Sequence, residues 1–182
     1  MSLITKEIKG YIGYLTLNNP GKLNAMSEPM MAEMIATLKE FDESENVRCV
    51  VIKGEGKAFS AGHDVNPEDN HYSGAAGWRT RAQRCNELPK TIWNMKTPTI
   101  AQVHGYCLGG ACDIASICDL TISADNAKFG EPEIQHNSHP PFPMLPYVLS
   151  YKKANEVILL GEHFTAQQAL EMGLINRCVP QK

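Results

Sequence analysis

Nowhere in the 182 residues does an apolar run approach the roughly 18 residues of a membrane-spanning helix. The opening residues, Met1-Ser2-Leu3-Ile4-Thr5-Lys6, lack the apolar block of a signal peptide. Neither sign of charge dominates: Lys and Arg number 17, Asp and Glu 20, for a net charge of −3. That mildly acidic balance leaves no footprint for nucleic acid, and a phosphate-bearing ligand would need local basic groups. The six cysteines (Cys49, Cys85, Cys107, Cys112, Cys118 and Cys178) include no CxxC pair, which speaks against a zinc site and a disulfide framework. Most lie in apolar segments, as buried free thiols do, so a reducing, cytoplasmic compartment is expected. Absent too are GxGxxG, a GKS or GKT phosphate loop, and the GxSxG of a serine nucleophile elbow.

What the chain does carry is two glycine-bearing turns, each following a buried-strand pattern. The first, Phe59-Ser60-Ala61-Gly62-His63-Asp64, comes after the apolar run at 47–52. The second, His104-Gly105-Tyr106-Cys107-Leu108-Gly109-Gly110, comes after 99–103. A glycine there lets the backbone turn and brings a bare N–H close to a ligand. Two such turns converging would aim two N–H groups at one oxygen, the device that stabilises negative charge developing on a carbonyl. Close helix–strand packing is the other reading of the Gly109-Gly110 pair.

Around these turns the sequence lays out alternating elements. Residues 3–9 and 11–17 read as a hairpin split at Lys9-Gly10. Ser27 caps a helix whose Met30, Met31, Met34, Ile35, Leu38 and Phe41 recur at helical spacing. Residues 66–77 read as a mobile surface loop and 78–95 as a helix. Strand 98–103, a short helix from about Gly110 to Cys118 and strand 120–123 follow, then an irregular stretch at 129–134. Prolines at 140, 141 and 143 forbid regular structure across 136–143. Helices are expected within 144–160 and, opened by the capping box Thr165-Ala166-Gln167-Gln168, over 166–172. No linker or repeat divides the chain, so one α/β domain over 1–182 is expected.

Three residue types near the turns can do chemistry. Asp113, about three residues into the short helix, either partners the first-turn amides or acts on a ligand. Glu133, in Gly-Glu-Pro-Glu-Ile, reads in isolation as a solvated loop residue. Together the two carboxylates can straddle a water or a substrate carbon, one giving and one taking a proton. His63 offers a ring or a backbone N–H. His136 and His139 are spaced i, i+3, but the prolines argue against their sharing a metal, and no metal site is expected.

These residues together resemble the crotonase superfamily of enoyl-CoA hydratases and isomerases, from about residue 10 onward. Leu15-Thr16-Leu17-Asn18-Asn19-Pro20 and Leu23-Asn24-Ala25-Met26 are similar to the family's opening strand and CoA-contacting turn. Residues 58–64 resemble its first oxyanion turn. Residues 98–110, Cys118-Asp119-Leu120 and Ala127-Lys128-Phe129-Gly130-Glu131-Pro132-Glu133 resemble the second turn and the segment behind it. The resemblance implies a right-handed spiral of ββα turns, assembled as trimers or paired trimers, and an acyl-CoA thioester substrate with no separate cofactor. It implies that the amides of His63 and Gly110 bind the thioester oxygen. Lys22, Leu23, Asn24, Ala25, Ser60, Ala61, Asp64, Val65 and Gly109 would line the path of substrate and CoA, with Lys22 and Lys57 meeting phosphate.

The family's hydratases carry two glutamates, and Glu133 matches the second. Asp113 falls on the first, at the family's own separation of 20 residues, but is one methylene shorter. Its reach is reduced by about 1.5 Å, and a displacement near 1 Å can cost about a hundredfold in rate. The stretch from Gln135 to Pro143 is rich in histidine and proline where the family opens a glycine-rich helix. The usual C-terminal helical segment, which helps form the trimer, is expected to be missing. Three activities follow as expectations: hydration of a 2-enoyl-CoA, double-bond isomerisation or another crotonase reaction, and CoA binding with little turnover.

Overall fold

A computed structural model describes residues 2–65, 72–140 and 143–181. Strands β1 (Ile4–Lys9) and β2 (Ile12–Leu17) form the expected antiparallel hairpin, with Lys9 opposite Ile12. Helix α1 (Glu28–Glu43) starts where the Ser27 hydroxyl accepts a hydrogen bond from the Met30 amide. Its Met30, Met34, Leu38 and Phe41 are buried, the stripe that the helical spacing lays down. Strands β3 (Cys49–Gly54), β4 (Thr99–Val103), β6 (Leu120–Ala124) and β9 (Arg177–Val179) then add in parallel, giving the order β1-β2-β3-β4-β6-β9.

A second, smaller sheet contains β5 (Tyr106–Leu108), β7 (Lys128–Gly130) and β8 (Phe164–Thr165). Two isolated bridges continue its pattern, Ser60 to Cys107 and Met26 to His63. Each circuit of the chain therefore leaves one strand in the large sheet and one extended residue or strand in the small one, then returns through a helix. The sequence β2–Met26–α1, β3–Ser60/His63–α2 (Gly74–Trp93), β4–β5–α3 (Gly110–Ile117) repeats this path. This is the ββα spiral, right-handed as parallel crossovers almost always are.

The remaining helices are α4 (Leu145–Val148), α5 (Tyr151–Leu160) and α6 (Ala166–Glu171). The Thr165–Gln168 capping box is formed in both directions. Two expectations need correction. Residues 74–77 are not loop but the first turn of α2; residues 66–71 lie outside the described set. Ala75 and Ala76 are strong helix formers, and the docked stripe Cys85, Leu88 and Ile92 anchors a helix that then propagates backward at little cost. Residues 129–134 are not wholly irregular either: β7 runs to Gly130, and Pro132–His136 is a 3-10 turn. No helix among the described residues is long and apolar enough to cross a membrane.

Candidate active site

The two glycine turns lie side by side. The Ser60 amide donates to the Tyr106 carbonyl (3.0 Å) and the Leu108 amide to the Ser60 carbonyl (3.2 Å). On the other side of the first turn, the Met26 amide donates to Gly62 O (2.8 Å) and Asp64 N to Met26 O (3.0 Å). In that parallel bridge the His63 amide faces away from Met26. Gly62, at φ +95°, sits so tightly against the second turn that a β-carbon there would lie 2.6 Å from Leu108 O and 3.5 Å from the Gly110 nitrogen. Gly110 opens α3, so its N–H is one that no helical carbonyl can satisfy. Among the described residues neither the His63 nor the Gly110 amide donates a hydrogen bond.

Asn24 and Ser60 hold this arrangement. Both are fully buried. The Asn24 amide group donates to Glu55 O (2.9 Å), Ala58 O (2.8 Å) and Phe59 O (3.2 Å), while its Oδ1 accepts from Asn19 N (2.9 Å). At about 0.5–1.5 kcal/mol net for each bond, this side chain is a main fastener of the first turn. Asn24 takes a left-handed φ of 55°, which asparagine tolerates better than most residues. The Ser60 hydroxyl donates to Asn24 O (2.8 Å) and accepts from Gly62 N (3.1 Å). Their side chains are thus committed inward, leaving Leu23, Lys22 and Val65 exposed nearby and Ala25, Ala61 and Asp64 half-buried. Lys22 pairs with Asp64 at 3.2 Å, and Lys57 is exposed.

The carboxylates meet beside the second turn. A β-carbon on Gly109 would lie 2.6 Å from Glu133 Oε1, and one on Gly110 would lie 2.5 Å from His63 Nε2. Glycine at both positions admits the glutamate and the imidazole to the turn's surface. Gly109, at φ +53° and ψ −131°, also has a backbone that a side chain would strain. Glu133 is half-buried and backbone-pinned: its carbonyl accepts from Ser138 N (3.0 Å) and from the Asn137 amide that ends the 3-10 turn. Burial raises its carboxyl above the ordinary range; its own backbone amide, Glu131 and then His136 and His139 oppose the rise. The solvated-loop reading of Glu133 therefore fails.

Asp113 is 1% exposed, and its Oδ1 has no hydrogen-bond partner. Burial first, and the Glu133 charge second, push its carboxyl well above the ordinary value of 3.8, with the Met144 backbone amide opposing. His63 is driven the other way, to about 4, by burial and then by the Arg81 charge, so its ring is neutral near pH 7. Its Nδ1 is buried without a partner.

A consequence for stability follows from Asp113. The raised folded value means that the neutral acid's contribution is fully present below 3.8 and is lost as pH rises toward the shifted value. Asp113→Asn removes the titration. Its thermal midpoint is expected to exceed that of the unaltered chain near neutral pH, with the gap closing on acidification toward the ordinary carboxylate value. A gap that does not change with pH would show that Asp113 titrates normally.

One residue escaped sequence reasoning. Glu131 is fully buried, and neither carboxyl oxygen finds a complete hydrogen bond; the nearest groups are the Cys112 thiol and the Glu133 carboxyl. In the folded chain β7 exposes Lys128 and buries Phe129, and one further step places Glu131 on the Phe129 face, but three residues are too few for that alternation to be read in the sequence. The three acids do not form a metal-binding group, nor do any other His, Cys, Asp or Glu among the described residues. All six cysteines are free.

The spiral places the chain among crotonase-fold proteins. The chain belongs to the enoyl-CoA hydratase/isomerase family, which it matches over residues 7–182. It is 35% identical over 179 residues to a probable mitochondrial enoyl-CoA hydratase of Dictyostelium discoideum, covering 97% of this chain and 63% of that protein. A short-chain-enoyl-CoA hydratase of Clostridium acetobutylicum is 32% identical, over 95% of this chain and 67% of the relative. The crystal structure of an enoyl-CoA hydratase/isomerase from Xanthobacter autotrophicus Py2 superposes with a TM-score of 0.95 at 35% identity, covering 98% of this chain and 67% of the other. The chain thus spans about two thirds of the length of the relatives it matches.

Proposed function

We propose that this chain provides the site of an acyl-CoA enzyme that stabilises a thioester enolate and adds water across the double bond of a 2-enoyl-CoA. The observation carrying the reading is the pair of amides, His63 and Gly110, that find no acceptor among the described residues, on adjoining turns with Glu133 against Gly109. A thioester oxygen between the amides would receive two hydrogen bonds, each worth roughly 3 kcal/mol as negative charge develops. The water oxygen bonds to C3 while the double-bond pair moves toward the carbonyl. Glu133 takes a proton from that water and returns one to C2, so that one H and one OH are added overall. Asp113, whose carboxyl is pushed well above 3.8 by burial and then by the Glu133 charge, orients or activates that water.

The CoA portion would follow residues 23–25 and 60–65. The exposed Lys22 ammonium, 3.2 Å from the half-buried Asp64, can exchange that partner for a phosphate, and Lys57 is a second contact. No cofactor beyond the substrate's own CoA is invoked, and a homotrimer or paired trimers is the assembly read from the resemblance.

The short side chain of Asp113 also supports a second reading, in which Glu133 alone shuttles a proton between C2 and C4 and moves a double bond. Product analysis separates the two. Crotonyl-CoA should lose its enoyl absorbance and gain the mass of one water under hydratase action; 3-enoyl-CoA converted to the 2-enoyl isomer without mass change marks the isomerase. Tight CoA-ester binding with neither product would refute both and leave a binding protein.

A further inference from the structure

His63 gives the proposed site its backbone amide, but the reaction above makes no use of its side chain. A β-carbon built on Gly110 would lie 2.5 Å from the ring's Nε2, 2.6 Å from Cδ2 and 3.2 Å from Cε1, so a whole edge of the imidazole fills that space. A β-carbon stands about 1.5 Å from its α-carbon, which puts Nε2 within about 4 Å of Gly110 Cα, at van der Waals contact. Behind Gly110 there is no slack, because all 8 residues of α3 are buried. The turn from which the ring springs is equally confined, with Gly62 pressed against Leu108 O. Nδ1 is enclosed without a partner among the described residues, so packing rather than a hydrogen bond from that nitrogen keeps the ring at this edge.

We propose that the His63 side chain is a specificity-determining wall of the acyl site: it occupies the room that a substituent on C2 of the acyl group would need, and so restricts the protein to 2-enoyl-CoAs unbranched at C2. The inference rests on the reading of the His63 and Gly110 amides as the seat of the thioester oxygen. C2 is two bonds from that oxygen, and the residues whose amides would hold it are the same two that meet through the ring. The Glu133 carboxylate, resting against Gly109, takes the side of C2 from which protons are exchanged. The ring stands at the next residue, where it confronts whatever else C2 carries. A hydrogen there is accommodated, whereas a methyl group has to displace a ring backed by a fully buried helix, the overpacking that a close-packed wall resists. The main chain at 63 is held by other groups. The Met26 amide donates to Gly62 O (2.8 Å), Asp64 N to Met26 O (3.0 Å) and Gly62 N to the Ser60 hydroxyl (3.1 Å). His63→Ala therefore opens the wall and leaves the amide in place.

The test compares acyl-CoAs that differ only by a methyl group on C2. Calorimetric titration of the full chain with the non-reacting pair butyryl-CoA and 2-methylbutyryl-CoA should show butyryl-CoA bound more tightly by about tenfold or more, the effect of one methyl group in a fitted pocket. His63→Ala should bring the two affinities close to equality. His63→Leu, which restores bulk without ring nitrogens, should keep the discrimination of the unaltered chain. For crotonyl-CoA and its 2-methyl derivative, the ratio of kcat/KM values should move in the same way. Equal affinities in the unaltered chain overturn the proposal, as does a preference unchanged in His63→Ala, or one lost in His63→Leu as fully as in His63→Ala. Should His63→Ala not fold, His63→Ser makes the same comparison. Because the titration needs no turnover, the two readings fail separately. The expected affinities without hydration sink only the hydratase assignment, whereas hydration with the preference unchanged in His63→Ala sinks only the role given to the ring. Binding of neither ester removes the seat of the thioester oxygen and the wall with it.

Discussion

Glu133→Gln is expected to lower kcat for crotonyl-CoA hydration by about 10²- to 10⁴-fold, the range spanned by losing a positioned acid–base group. The substitution keeps the shape of the side chain and its backbone anchors, the Ser138 and Asn137 amides, which hold the carbonyl rather than the carboxyl. It removes only the ability to take a proton from water and return it. Since the proposed CoA contacts lie at residues 22–25 and 57–65, KM should change little, the pattern of an interaction made in the transition state. Asp113→Asn should do less to the rate, because an asparagine can still orient a water. Stopped kinetics over a range of substrate concentrations gives both constants. Equal rates for Glu133→Gln and the unaltered chain would remove this carboxylate from the chemistry.

Why Glu133 was visible in the sequence and Glu131 was not is a matter of which physical signals a one-dimensional pattern carries. The long parallel strands announce themselves because burial on both faces demands β-branched, apolar runs such as Val50-Val51-Ile52. Helix α1 is legible because its cap, its Pro29 and its methionine stripe agree. The glycine turns are legible because backbone that must approach a ligand or another backbone tolerates no β-carbon. Strands β5, β7, β8 and β9, at two or three residues each, are too short for any period to register, and their pairing is set by partners far away in the chain. Helix α2 begins earlier than its glycines suggest because tertiary docking near Leu88 supports a first turn that propensity alone would leave open. Glu131 is hidden for a related reason. A lone acid before a proline looks like surface, and only the folded spiral reveals that α3 closes over it. The commitment of Asn24 and Ser60 to the interior is equally invisible in sequence, since both residue types are as common in exposed turns.

Gly62→Ala should damage the site and the fold together, by separating the turns that carry the two amides. The new methyl carbon would stand 2.6 Å from Leu108 O, a backbone atom whose residue is itself tied to Ser60 by the 3.2 Å hydrogen bond from its amide. Neither side can yield by rotating a flexible side chain, so the turns must move apart by several tenths of an ångström at least. Alanine at φ +95° adds conformational strain of about 1–3 kcal/mol. Gly10→Ala supplies the control. Gly10 also has positive φ, +59°, but sits in the β1–β2 turn with nothing within 4 Å of the added carbon. It should therefore lose stability through backbone strain alone and keep full activity. Gly62→Ala should lose more stability than Gly10→Ala in urea titration. Its kcat should fall by about 10²- to 10³-fold, as for the loss of one oxyanion donor. Both variants carry a conformational cost, larger at φ +95° than at +59°, so it is the loss of activity confined to Gly62→Ala that reports the contact between the turns. Equal activity in the two would mean that the spacing of the His63 and Gly110 amides does not matter to the reaction, and the enolate would have to be stabilised elsewhere.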